Sequence, residues 1–225
     1  MVYGYLCAVD RCIHEFFETS KTDKFEDTWR KFPHNLNWCS TNAQMSVRRF
    51  TTNREILLFK VKNMLEKKKR PVDHKCTAVA ISFDADSSLR DLEFEKILPN
   101  CQSHHVVFSS KKANQLANIL KNIGQNIDLL IVGPSKTSSF LLFQQFLGEY
   151  VDYLPNVCQI NFAHTLPKTS EEAGFNESIL KLRNEKKFLL MGSSKDRTDM
   201  YLNLFFVNMN TQYCRERYFR YFSYY

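Results

Sequence analysis

The sequence predicts an α/β fold in which strand–helix units with parallel strands repeat along the chain, preceded by a mainly helical N-terminal segment. Short apolar runs recur at near-even spacing from residue 76 onward. The stretches between them carry apolar residues at helical spacing, and with only six Gly and six Pro in 225 residues the chain is too poor in turns for a hairpin-dense all-β design. Hydrophobic residues at 44% and aromatics at 14% suffice for a packed core.

Residues 1–70 stand outside the repeat. Cys12, Phe16 and Phe17 suggest a first amphipathic helix, and the stretch Pro33–Ser40 reads as a break. Asn53 can cap a helix running to about Lys69, with Leu57, Val61, Met64 and Leu65 inward. Glu55–Lys62 fits a strand as well, and the sequence leaves both open.

Residues 71–225 form the expected repeat domain with a C-terminal cap. Its strands are Cys76–Phe83, His105–Phe108, Ile127–Val132, Val157–Phe162 and Phe188–Met191, each four to eight residues long and apolar enough for burial on both faces. Leu116, Ile119, Leu120 and Ile123 mark one helix; Phe143, Phe146, Leu147, Tyr150 and Leu154 mark another, ended by Pro155. Ser87 or Ser88 and Ser138 or Ser139 are candidate N-caps.

Strand centres at Ile81, Val106, Leu130, Ile160 and Leu189 are 25, 24, 30 and 29 residues apart, a period like that of leucine-rich-repeat solenoids. Ala78/Ile81/Phe83, Ile127/Leu130/Val132 and Val157/Ile160/Phe162 keep the apolar spacing of such repeats, and Lys186/Leu189/Met191 keeps it in degraded form. The expected architecture is therefore irregular and leucine-rich-repeat-like, with a doubly wound parallel sheet as the alternative. A Ser-Lys echo at Lys111, Lys136 and Lys195 puts Val107, not Val106, level with Val132, so the second strand's register stays open by one residue. Leu202–Met209 comes too soon for another unit and reads as an edge strand or cap. Cys214, Tyr218, Tyr221 and Tyr225 form a helical stripe able to cover the open end of the core.

The net charge of +7 is confined almost wholly to the first third, with 14 Lys and Arg against 8 Asp and Glu in residues 1–70 and 17 against 16 in the rest. A nucleic-acid face across the later units is disfavoured, since phosphate binding needs positive charge at the contact. A binder using the basic N-terminal third stays as an alternative. Seven irregularly spaced cysteines, an odd number, read as reduced thiols. The first ten residues lack a basic leader and no run approaches membrane-span length, so a cytoplasmic or nuclear chain is expected.

Candidate chemistry is sparse. Gly133-Pro134-Ser135-Lys136-Thr137-Ser138 follows a strand, yet it lacks the first glycine of a phosphate-binding loop and Pro134 removes a donor. Cys7, Cys12, His14, His34 and Cys39 are zinc-ligand types without the short knuckle spacing. Cys101-x-x-His104-His105 and His74-Lys75-Cys76 pair a thiol with a base but bring no orienting group. Asp84 and Asp86 resemble a metal-binding pair, and a solvated turn explains them equally. Tyr213–Tyr225 mixes aromatics and arginines, types that stack on single strands and also pack an end helix. Lys67, Lys68, Lys69 and Arg70, followed by Pro71, fit a nuclear-import signal. No catalytic, cofactor or metal residue is assigned.

The units of residues 76–195, with Leu202–Met209 after the polar turn Ser193–Asp199, are similar in rhythm to the leucine-rich-repeat-like domains that accompany F-boxes in expanded nematode families. That resemblance implies a substrate-recognition part of a ubiquitin-ligase adaptor, with no cofactor and no active site. Residues 1–45 do not carry the leucine- and proline-bearing pattern of an F-box. The expected function is a non-enzymatic protein–protein interaction module with a protein partner and no membrane. An enzyme acting on a small molecule or phosphate ester on a doubly wound sheet is the alternative.

Overall fold

The structure, a computed structural model, describes residues 2–20, 25–42, 47–51, 57–61, 76–83, 89, 101–108, 113–133, 143–145, 151–165, 172–185, 187–195 and 201–218. Helices α1 (Val2–Thr19) and α2 (Phe25–Asn42) precede strands β1 (Val47–Thr51) and β2 (Leu57–Val61). Then come β3 (Cys76–Ser82), β4 (Cys101–Val107), α3 (Ala113–Ile123), β5 (Asn126–Ile127) and β6 (Leu129–Val132). The chain continues with β7 (Asn156–Val157), β8 (Gln159–Thr165), α4 (Glu172–Glu185), β9 (Phe188–Lys195), β10 (Tyr201–Asn208) and α5 (Gln212–Tyr218).

Six strands form a mostly parallel central sheet in the order β4-β3-β6-β8-β10-β9. The first four are parallel, and β10 runs antiparallel to β8 and β9. This order departs from a solenoid, in which neighbours in sequence are neighbours in the sheet. From β3 the chain moves outward to β4, then returns past β3 to β6, giving the switch of direction found in open α/β sheets. Near-even spacing follows from any strand–helix–strand crossover of similar length, so the period did not distinguish the two architectures.

Leu202–Met209 is likewise not an edge or cap. As β10 it lies between β8 and β9, with seven of its eight residues buried, as an interior strand's apolar run requires. Of the two second-strand registers, the one centred on Val106 holds: Val106 pairs with Ile81 and packs against the core, while Val107 is 53% exposed.

Alternation along the strands sorts side chains onto two faces. Val79, Ile81, Leu130 and Val132 join the larger core, while Ala78, Ala80, Leu129 and Ile131 form a smaller one with Leu58 and Leu89. α3 adds Leu116, Ala117 and Leu120 to the larger core, as its spacing predicts. On one face Phe143 meets Phe162 at 5.4 Å and Phe206 at 6.1 Å, and Phe175 of α4 stacks on Phe143. On the other, Phe59 of β2 stacks on Phe205 at 5.8 Å and packs over Gly192, where a Cβ would lie 3.4 Å from its ring.

The segment before the repeat is helix then hairpin. Of the two readings of residues 55–62, the strand is the one formed, as β2 paired antiparallel with β1. Phe59 N–H donates to Asn161 Oδ1 and Asn161 Nδ2 donates back to Phe59 C=O, both at 2.8 Å; Val61 N–H donates to Gln159 Oε1 at 2.6 Å. The break expected at Pro33–Ser40 lies inside α2. Phe32, Leu36 and Cys39, at i, i+4 and i+7, are all buried, and their packing outweighs the one hydrogen bond that proline removes. Val9, Ile13 and Phe17 of α1 belong to the same core as the sheet.

The reduced-thiol expectation is overturned for six of the seven cysteines. Cys12–Cys39 joins α1 to α2, Cys76–Cys101 joins β3 to β4, and Cys158–Cys214 joins the start of β8 to α5. Helix packing and strand register set these partners, which is why spacing along the chain conceals them. Each is worth about 3–4 kcal/mol in the chain-entropy account.

Candidate functional site

In an open α/β sheet the usual ligand site lies at the carboxyl ends of the strands, beside the switch of direction. Here that place lies between β3 and β6, and apolar side chains occupy it. Leu89, 1% exposed, packs on Gly133 so closely that a Cβ there would come within 2.8 Å of Leu89 Cδ1 and 3.2 Å of Ile81 C=O. Phe83 meets Phe108 edge-on at 6.0 Å beside them. Farther along, buried His164 stands among Phe143 and Phe175, both 5.4 Å away, with its Nδ1 against Thr165 C=O. It is packed as a core residue.

The densest polar cluster sits at the opposite end, against the amino ends of β3, β6 and β8. Asp128, fully buried, interrupts the apolar run between β5 and β6. Thr77 N–H donates to Oδ2 at 2.8 Å, and Tyr218 Oη donates to Oδ1 at 2.8 Å. Tyr213 Oη lies 3.3 and 3.4 Å from the two oxygens, and Arg217 Nε stands 2.5 Å from Oδ1. Burial and the Asp128 charge push Tyr213 up to about 12 and Tyr218 well above the ordinary tyrosine range. Burial alone would lower Arg217, but the facing Asp128 and tyrosines raise it. Three hydrogen-bond donors and one ion pair thus hold the Asp128 carboxylate from within the protein. With Cys158–Cys214, it fastens α5 to the sheet. The sequence did carry a signal: a lone acid in an apolar run needs a cation when buried.

The remaining feature is the edge of the sheet at β4. Among the described elements β4 pairs with β3 alone. Gln102, Ser103, His105 and Val107 are exposed. Phe108 N–H donates to Ser82 C=O at 2.7 Å, which fixes the parity of the strand. Gln102, His104 and Val106 therefore turn their backbone groups toward β3, and Cys101, Ser103, His105 and Val107 turn theirs outward. The pairing runs without a bulge from Cys76↔Cys101 to Ser82↔Val107. The strand contains no Lys, Arg, Asp, Glu or Pro, and burial lowers His105 below its ordinary 6.5, so the edge is uncharged at neutral pH there. Charges, proline and bulges are the devices that normally blunt an edge.

The other residues singled out in the sequence do not gather into a site. Cys76 and Cys101 are bonded to each other, so neither is a free thiol beside a histidine. Cys12 is bonded to Cys39, His14 faces Glu18 at 3.9 Å, and His34 is exposed. Among the described residues no three metal-ligating side chains come together. His74, Lys75, Asp84, Asp86, Pro134–Ser138, the N-cap serines, Asn53, Tyr221, Tyr225 and the cations Lys67, Lys68, Lys69 and Arg70 lie outside the described residues. No described helix is long and apolar enough to cross a membrane. No family model matches the chain, and no curated protein matches it.

Proposed function

We propose that the chain is a protein–protein interaction module whose docking element is β4, which among the described strands pairs with β3 alone. The observation that carries this reading is an outer strand of seven residues, without a Lys, Arg, Asp, Glu, Pro or bulge, whose backbone groups at Cys101, Ser103 and Val107 turn away from β3. Adding an extended segment to such an edge supplies main-chain hydrogen bonds, and alternate side chains supply specificity. At about 3.3 Å per residue the edge offers roughly 23 Å of pairing length. The apolar filling around Leu89 and Gly133 favours this non-enzymatic reading over a ligand pocket at the strand ends. Substrate recognition for a ubiquitin ligase is the narrower version and rests on the family resemblance alone. Three cystines favour maturation in an oxidising compartment over the cytoplasm or nucleus.

The test compares partner capture by the wild-type chain and by Ser103→Lys, whose side chain places a cation on the open edge. Loss of a specific partner with an unchanged melting temperature supports the reading. Retention of every partner by that variant and by Val107→Pro overturns it.

A further inference from the structure

We infer that the Asp128 cluster shields the Cys158–Cys214 cystine from thiol reductants, so that this bond is exchanged only when α5 turns away from the sheet. The inference is independent of docking at β4. Both cysteines are fully buried. α5 supplies the cover, because Cys214, Arg217 and Tyr218 are its buried residues while Arg215 and Glu216 face solvent. The face that closes over the cystine is therefore the face that meets Asp128.

The two ends of α5 are held differently. At its entry, Asn208 N–H donates to Cys158 C=O at 2.8 Å and Asn208 Nδ2 donates to Val157 C=O at 3.0 Å. Asn208 Oδ1 accepts from the N–H groups of Asn210 at 2.9 Å and Thr211 at 3.2 Å, which lead into the helix. That end moves with the strand carrying Cys158 and serves as the pivot. The far end rests on Asp128 through Tyr218 Oη at 2.8 Å and Arg217 Nε at 2.5 Å, with Tyr213 Oη at 3.3 Å. Cys158 N–H in turn donates to the C=O of Ile127, the neighbour of Asp128, at 2.8 Å. Breaking the Asp128 contacts is thus the local opening that admits a reductant, and the exchange rate follows the population of that opening.

The reaction is ordinary thiol–disulfide exchange with a small dithiol. Its thiolate attacks one cysteine sulfur, the S–S bond breaks, and the other cysteine leaves as thiolate. The second thiol of the reductant then attacks the mixed disulfide, so two electrons and two protons pass to the protein and the reductant closes to its own disulfide. The Asp128 contacts then hold α5 without covalent help, and the span of 56 residues between the two cysteines is no longer closed.

The experiment treats the intact oxidised chain, its free thiols already alkylated, with excess dithiothreitol under native conditions. Quenched samples are alkylated with a second label and the initial rate at each cystine is read by mass spectrometry. Tyr218→Phe removes one buried bond to the carboxylate and is expected to speed reduction of Cys158–Cys214 about tenfold. Asp128→Asn leaves Arg217 buried without its counter-charge and is expected to speed it about a hundredfold or more. Cys12–Cys39 and Cys76–Cys101 act as internal clocks and keep their wild-type rates. Tyr218→Phe carries the test alone if Asp128→Asn fails to fold. An unchanged rate at Cys158–Cys214 in the variants overturns the inference. So does equal acceleration of all three cystines, which would make unfolding of the whole molecule the route, or a wild-type bond that reacts as fast as it does in denaturant.

Discussion

Along β9 the sheet is roofed by a described helix, and along β4 no described element besides β3 pairs with the strand. α2 lies along β9, where Asn37 Nδ2 donates to Ser193 C=O at 2.9 Å and Asn37 Oδ1 accepts from Ser193 N–H at 3.4 Å. One amide side chain thereby takes up both outward groups of a residue, as a neighbouring strand would. Phe32 of α2 reaches Phe175 of α4 at 6.4 Å, so the apolar layer passes around that edge. The pairing of β9 with β10 is also broken by a register shift at Phe205/Phe206. Among the described residues none of these devices is present on β4, although both edges belong to one sheet. Edges are ordinarily covered, bulged or charged because bare ones recruit other chains.

The contrast can be broken from the roofed side. Phe32→Ala removes a buried ring that holds α2 across the edge and is expected to cost about 3–5 kcal/mol. Chemical denaturation measures the loss, with aggregation rising as β9 is uncovered. Asn37→Ala leaves both Ser193 backbone groups without their partner, at about 1–3 kcal/mol. Amide exchange at Ser193 then accelerates; an unchanged rate would mean that the amide is not the edge's cover.

A smaller effect comes from pH and spares both edges. The folded pKa of Tyr213, about 12, lies above the ordinary 10, so its contribution is complete below pH 10 and is lost as pH rises toward 12. Tyrosinate absorbance should show Tyr213 and Tyr218 ionising late and together with release of α5. Ionisation of all tyrosines near pH 10 would refute the fastening role of Asp128. The smallest change in stability is on the bare side: Ser103→Lys is expected to stay within about 0.5 kcal/mol of the parent while abolishing strand pairing. In dilute solution the amides of Ser103 and Val107 should exchange faster than those of His104 and Val106, and a uniform rate along β4 would contradict the assigned parity.

Much of the sheet was legible because buried strands announce themselves as apolar runs. Cys76–Phe83 contains β3 and Ile127–Val132 contains β6, whereas Val157–Phe162 covers only the first four residues of β8, which continues to Thr165; the latter two runs are divided at Asp128 and Cys158. Strand order was not legible, because a run's composition does not say which neighbour it takes. That β10 lies between β8 and β9 depends on long-range pairing that no local spacing records. β4 was read four residues short because its first half, Cys101–His104, is polar, and that polarity is itself the mark of an edge. Pro33 misled for the opposite reason: tertiary burial of Phe32 and Leu36 overrode a local breaker. Of the candidate site, the residues Cys101, His104 and His105 were noticed for thiol–base chemistry, whereas the fold bonds Cys101 to Cys76 and sets all three on the outermost described strand of the sheet.

The Cys76–Cys101 cystine sits at the amino end of the bare strand and ties it to the register partner on β3. An unprotected outer strand is ordinarily the element that peels away and is exchanged between molecules. A covalent rivet at one end forbids that exchange while leaving the outward hydrogen-bonding flank untouched. The cystine thus makes the outermost described strand a fixed part of its own sheet, so that local fraying there cannot pass into swapping between molecules.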